Sequence, residues 1–399
     1  MDSYARVRGV LLVAVCTVLL QSTDALLCSR NDIFVQGARQ VVKRPGCSIF
    51  DATSRLHQNG YDSLLSTLTG TLSLVDMMLG YASLGDEGLK SLAEELKTNT
   101  TMTKVFLHLN DVKDKGVTEI AMALSNNDYV NELSLHTNDI GGPGALALAN
   151  LLTNKPNSGL ERLHLGDNHI GEIGGEYLGN ALKVNRHLKH LYLFKDSIGL
   201  NNTKSTSQAM VNGEFTSGIV SNFYVIGNNI NDKGVVFVAD ALKVNNVLTH
   251  LDLGKNVIKL RGAELLSDAL KVNTGLKTLS LGFNQIDNNG AVHLGNMLAV
   301  NSDLVCLDLN GNWINWQGAQ YIATALNASN TALKYIDLSS NYIPDSALLM
   351  LTYYFENTNL EKYYLTTFPD GDYVCDKLKY CGIEDEDMYN LCQQKGLLP

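Results

Sequence analysis

The chain has 399 residues, with 31 basic against 41 acidic side chains and a formal charge of −10 at pH 7. An acidic surface of this kind favours solubility and repels nucleic acid, so the balance excludes a nucleic-acid partner, and no basic cluster overturns it.

Arg6 and Arg8 precede an apolar run from Val10 to Leu20, and Thr23, Asp24 and Ala25 follow it. The run is shorter than the roughly 20 apolar residues of a membrane anchor and ends in a cleavage-like stretch. Residues 1–25 are therefore expected to be a signal peptide cut after Ala25. Residues 26–71 are expected to form an N-terminal cap, closed by a bridge between Cys28 and Cys47.

From residue 72 to 367 a pattern LxxLxLxxNxL returns about every 28 residues, one copy being Leu248, Leu251, Leu253, Asn256 and Ile258. The second leucine of the LxL core falls at Leu79, Leu107, Leu135, Leu165, Leu193, Val225, Leu253, Leu281, Leu309, Leu338 and Leu365, which gives eleven units. The alternating LxL segment reads as a strand with its leucines on one side. Nine residues later a glycine, as at Gly116, Gly144 and Gly262, leads into an amphipathic helical stretch. Strands separated by helices run parallel, and the greater width of the helices bends the stack. The expected fold is an α/β solenoid, a horseshoe with a concave parallel β-sheet and convex helices, about eleven repeats long and capped at both ends. Asparagines at Asn110, Asn138, Asn168, Asn228, Asn256, Asn284, Asn312 and Asn341 can pair with backbone groups bared where the strand turns away.

On these residues the chain resembles the ribonuclease-inhibitor type of leucine-rich repeat, and is similar to the repeat regions of NOD-like receptors. The resemblance implies a protein-recognition scaffold working through its concave sheet, without chemistry of its own; it does not carry the ligand over. A leader peptide departs from relatives that are typically cytosolic, and no phosphate-binding Gly-Lys-Ser/Thr loop is present.

Positions flanking the leucines form three columns on the open face, and two patches emerge there. The first is aromatic and histidine-rich: Phe106, His108, His136, His164, His190, Tyr192, Phe194, Tyr224 and His250. Large, easily ordered side chains of this kind compose binding hot spots, and adjacent imidazoles suit a pH-responsive interface. The second patch is acidic, with Asp252, Asp308 and Asp337 interrupted by Ser280, and would receive a basic partner. His108 and His136 share a column, but His164 and His190 step away diagonally, so no metal site is expected. Beside the aromatic patch the spacing from Leu193 to Val225 grows to 32 residues, and the helix expected between Ile198 and Val220 is replaced by a polar, irregular stretch.

Residues 368–399 are expected to form a C-terminal cap braced by a bridge within Cys375, Cys381 and Cys392. The third of these and Cys306 are then left over, either to pair or to leave Cys306 free. Without any CxxC pair, disulfides are favoured over zinc. Sequons at Asn99, Asn201 and Asn327 fit passage through the secretory route. The C-terminus shows no lipid-anchor tail and no retention tetrapeptide, so soluble export without a membrane anchor is expected.

No nucleophile with its base and no paired carboxylates in a cleft show recognisable spacing, and neither enzyme activity nor a cofactor is expected. The sequence points to a secreted scaffold that binds another protein through its concave face. The alternatives are an inhibitor of a secreted hydrolase and a structural matrix component.

Overall fold

The computed structural model describes residues 26–29, 34–35, 41–42, 47–51, 75–80, 82–155, 159–193, 228–329, 332–366, 376 and 379–381, with the backbone alone described up to residue 51. Strands β1 (Leu26–Ser29) and β4 (Cys47–Asp51) open a twelve-stranded sheet, while β2 (Phe34–Val35) and β3 (Val41–Val42) form a separate antiparallel pair. Cys28 and Cys47 thus sit on neighbouring parallel strands, and their side chains lie outside the described part.

Ten three-residue strands follow: β5 (Asp76–Met78), β6 (Lys104–Phe106), β7 (Glu132–Ser134), β8 (Arg162–His164), β9 (His190–Tyr192), β10 (His250–Asp252), β11 (Thr278–Ser280), β12 (Cys306–Asp308), β13 (Tyr335–Asp337) and β14 (Lys362–Tyr364). Each pairs in parallel with the next, residue opposite equivalent residue, as in Leu251 with Leu279. Between them, among the described residues, run α1 (Gly85–Leu96), α2 (Asp114–Leu124), α3 (Gly142–Asn154), α4 (Gly171–Leu182), α5 (Asp232–Leu242), α6 (Leu260–Leu270), α7 (Asn288–Leu298), α8 (Trp316–Ser329) and α9 (Asp345–Glu356). The expected solenoid is therefore observed. Its core lies between sheet and helices, where Leu251, Leu253, Leu279 and Leu281 are at most 1% exposed. Each such side chain contributes about 2 kcal/mol by leaving water.

Ten of the eleven expected units have a strand among the described residues, and Val225, the marker of the other, lies outside them. Separate units were expected at Leu193 and Val225, yet β9 pairs directly with β10, His190 opposite His250. Asn228 supplies the asparagine of the β9 unit, its amide donating to the carbonyls of Leu165 and Leu193 at 2.8 and 2.7 Å. Leu193 and Asn228 are thus two halves of one unit, separated by an insertion. On the other side of the core α4 meets α5 closely: a Cβ on Gly175 would lie 3.3 Å from the Gly234 Cα, and one on Gly179 would collide with Phe237.

The asparagines bind the units together. The Asn284 amide donates to Leu253 O and Leu281 O at 3.0 and 2.9 Å, while its oxygen accepts from the backbone N–H of Asn256 and Ile258. A second asparagine series, which the repeat pattern did not reveal, runs along the opposite rim at the turn from helix to strand. Asn273 donates to Leu242 O and Asn245 O at 2.7 Å each and accepts from the N–H groups of Gly275 and Leu276. Asn127, Asn245 and Asn301 bond in the same way. Every orphaned backbone group satisfied by these amides would otherwise be a buried cost.

Three helix starts are capped from the preceding unit, whereas α5 and α7 are capped by their own Asn231 and Asp287. Asp86 accepts from the N–H groups of Lys113 and Gly116 at the start of α2, and Asp114 from those of Gly141 and Gly144 at α3. Asp232 does the same for α6 through Lys259 and Gly262. A carboxylate there satisfies free donors and meets the positive end of the helix dipole. The recurring glycine follows from this arrangement, since a Cβ at Gly144 would stand 2.8 Å from the capping Asp114 oxygen and 2.6 Å from Ile140.

Candidate binding face

The strands bring the predicted residues into in-register columns on one face. His108 and His136 stack with ring centroids 4.7 Å apart and planes 8° from parallel. The His108 ring lies against Gly80, where a Cβ would stand 2.1 Å from it, so the absence of a side chain at Gly80 makes room for the ring. His164 stacks on Tyr192 at 4.4 Å, and His190 stacks on His250 at 4.2 Å across the β9–β10 junction. Phe106 is half-buried in the middle column at the β6 end. Phe194, Tyr224 and Asn201 lie outside the described residues.

These rings are less open than the columns suggest. His108, His136 and His190 are 5%, 2% and 6% exposed. The cause is the register itself: equivalent side chains on strands about 4.8 Å apart shield one another when both are flat rings. Parallel stacking is not the convergence a metal needs, and among the described residues no group of three or more His, Cys, Asp or Glu is placed to hold a metal ion.

Glu132, Arg162 and Lys104 border the rings. His164 Nε2 lies 3.2 Å from Glu132 Oε1. Burial pushes the Glu132 carboxyl up, but the His164 hydrogen bond and the charges of His164, Lys104 and Arg162 outweigh it and leave it below the ordinary carboxylate range. Burial, followed by the charges of His250, Arg162 and His164, lowers His190 to about 3. His250 falls to about 4, chiefly through burial, although a hydrogen bond to the Cys381 backbone works the other way. Both rings are neutral at mildly acidic pH, which removes them as sensors in that range.

The acidic patch is corrected. Asp252, Asp308 and Asp337 are 5%, 4% and 0% exposed, and each carboxylate accepts from a backbone N–H two residues on, at Gly254, Asn310 and Ser339, 2.8 to 3.0 Å away. They close the turn after each strand, as aspartates do in Asx-turns, and present no charge to a basic partner.

Of the two alternatives for Cys306 the structure shows pairing with a terminal cysteine: Cys381 is bonded to Cys306, 75 residues earlier, which leaves Cys375 and Cys392 as the pair for a bridge within the trio. Cys375 and Cys392 lie outside the described residues. The bond holds Asp376 and residues 379–381 against the open face of the sheet. Thr278 Oγ1 donates to Cys381 O at 2.8 Å, Tyr380 stacks on Tyr335 at 6.3 Å, and Asp376 accepts from the Tyr364 hydroxyl and pairs with Lys362 at 2.9 Å. Two residues signalled this contact in the sequence: Cys306 and Tyr335 fall in a face column, where neither serves the core.

Of the sequons, Asn327 is exposed on α8. Asn99 belongs to the second asparagine series: it is 9% exposed, and its oxygen accepts from the N–H groups of Thr101 and Met102. A glycan there requires this turn to open.

Five segments, residues 126–149, 157–179, 244–267, 272–295 and 300–323, match the leucine-rich repeat family model. Each runs through a strand into the following helix, and none includes the insertion after Leu193. Over 101 residues, 25% of this chain, the sequence is 33% identical to human NACHT, LRR and PYD domains-containing protein 14, of which the match covers only 9%. Among solved structures, actin-binding site 2 of leiomodin-1 is similar at 18% identity and a TM-score of 0.28, over 41% of this chain and 81% of that one. The matched segments and the ten stacked strands together give the described residues the architecture of a leucine-rich repeat solenoid.

Proposed function

We propose that this chain is a secreted, non-catalytic scaffold, with repeats of the ribonuclease-inhibitor type, that grips a partner protein through the concave face over β6–β9. The observation that carries the reading is the band of half-buried rings, Phe106, His164 and Tyr192, bordered by Lys104, Glu132 and Arg162. None of these residues fills the leucine core or closes a turn, and aromatic groups ringed by charged ones are the anatomy of an interface hot spot. Secretion is supported by the disulfide, by the leader-like residues 1–25 and by the exposed sequon at Asn327. The inhibitor reading leaned on an acidic concave surface, and burial of Asp252, Asp308 and Asp337 withdraws that support.

The test is affinity capture from extracellular fluid with the wild-type chain beside a Phe106→Ala, Tyr192→Ala double variant of unchanged melting temperature. A protein retained by the first and lost from the second, with binding weakened at least 30-fold, is the expected result. Equal retention by both would remove the concave face from the reading. Retention of further copies of the chain alone would favour the matrix role.

A further inference from the structure

We propose that the C-terminal segment is a covalently fastened intramolecular ligand of the concave face, and that opening the Cys306–Cys381 bond turns the surface over β11–β14 into a binding site for a peptide carrying a carboxylate and a tyrosine. The chemistry of the segment defines the site. Lys362 and the Tyr364 hydroxyl hold the Asp376 carboxylate, the Tyr335 ring receives Tyr380, and Thr278 donates to the Cys381 carbonyl. Cation and phenol come from β14, the aromatic surface from β13 and the hydroxyl from β11, and the repeat requires none of them at those positions. A peptide that places a carboxylate and an aromatic ring at the same separation meets the same four groups. The bond is itself buried, with Cys306 and Cys381 1% and 2% exposed, so the strap is normally closed and a reductant reaches it only when the segment lifts. Opening is thiol–disulfide exchange: a dithiol gives one hydrogen to each cysteine sulfur and closes into its own disulfide. The inference rests on the concave face being the binding surface, while the strap exists independently of any partner over β6–β9.

Two measurements on the full chain test it. Hydrogen exchange of residues 376–381 is compared in the oxidised protein, the dithiol-treated protein and a Cys306→Ser, Cys381→Ser variant; opening should accelerate exchange at least tenfold there and leave β6–β9 unchanged, which also reports an intact fold. A fluorescent peptide of residues 373–385, with serine at 381, is then titrated against the oxidised chain and against the double-serine variant further changed by Asp376→Ala and Tyr380→Ala. The expected result is binding to the variant alone, lost when the peptide itself lacks the aspartate and tyrosine. Unchanged exchange after loss of the bond would overturn the fastening, and equal binding to both proteins, or to neither, would overturn the peptide site. Accelerated exchange with failed partner capture at β6–β9 would sink only the function proposed above.

Discussion

At the scale of single residues, the stacked histidines tie stability to pH. His190 has a folded pKa of about 3 against an ordinary 6.5, so the unfolded chain takes up its proton first. The stability this residue allows is fully present above about pH 6.5 and is lost as pH falls from there toward the folded value. Glu132, whose folded pKa is lowered, acts in the same direction: its contribution is present above the ordinary 4.5 and lost as acid protonates the carboxyl. Between pH 7 and 5 His190 alone should remove about 2 kcal/mol, and His190→Asn should flatten the profile by that amount. Urea unfolding of the two proteins at both pH values measures it. An equally steep loss in His190→Asn would show that the imidazole is not the group responsible. The sequence placed these rings in their columns and on the correct strands. It could not show that the rings would hide one another, because alternation reports which face a side chain takes and not the distance to its neighbour on the next strand.

At the scale of the element, α2, α3 and α6 owe part of their start to the preceding unit. Asp114→Ala removes the acceptor for Gly141 and Gly144, so α3 should lose its cap at a cost of about 1 kcal/mol while α2, which carries the aspartate, keeps its own cap from Asp86. Hydrogen exchange separates the two outcomes: faster exchange at the start of α3 alone is expected, and faster exchange at the start of α2 would contradict the assignment. The glycine nine residues after the leucine was legible as a helix signal, but its physical reason was not. A capping search looks within one helix, whereas this oxygen comes from 27 and 30 residues upstream. The second asparagine series was equally open to inspection, since Asn245, Asn273 and Asn301 keep the 28-residue period. It lies at the helix-to-strand turn, outside the leucine pattern, so that pattern does not reveal it.

At the scale of the whole molecule, the repeat order and the place of its interruption were legible, and the strand pairing across the interruption was not. Asn228 and Ile230 look like the latter half of a unit because they are one, but the strand of that unit is His190–Tyr192. Sixty residues separate Leu193 from Leu253, against 28 from Leu253 to Leu281, so the surplus is 32. Deleting residues 196–227 restores the regular spacing and leaves the β9–β10 and α4–α5 contacts in place. The shortened chain should fold with a melting temperature within a few degrees of the original, as surface insertions generally allow. A drop of more than about 10 °C would mean that the insertion supports the neighbouring units. The fastening of Cys381 to Cys306 bears on how such an array comes apart. Stacked units ordinarily fray from either end, because a terminal unit has one neighbour and an interior unit has two. Here the last turns are stitched to a unit within the stack, so the spring has a single loose end, and unravelling should start at the N-terminal side and travel one way.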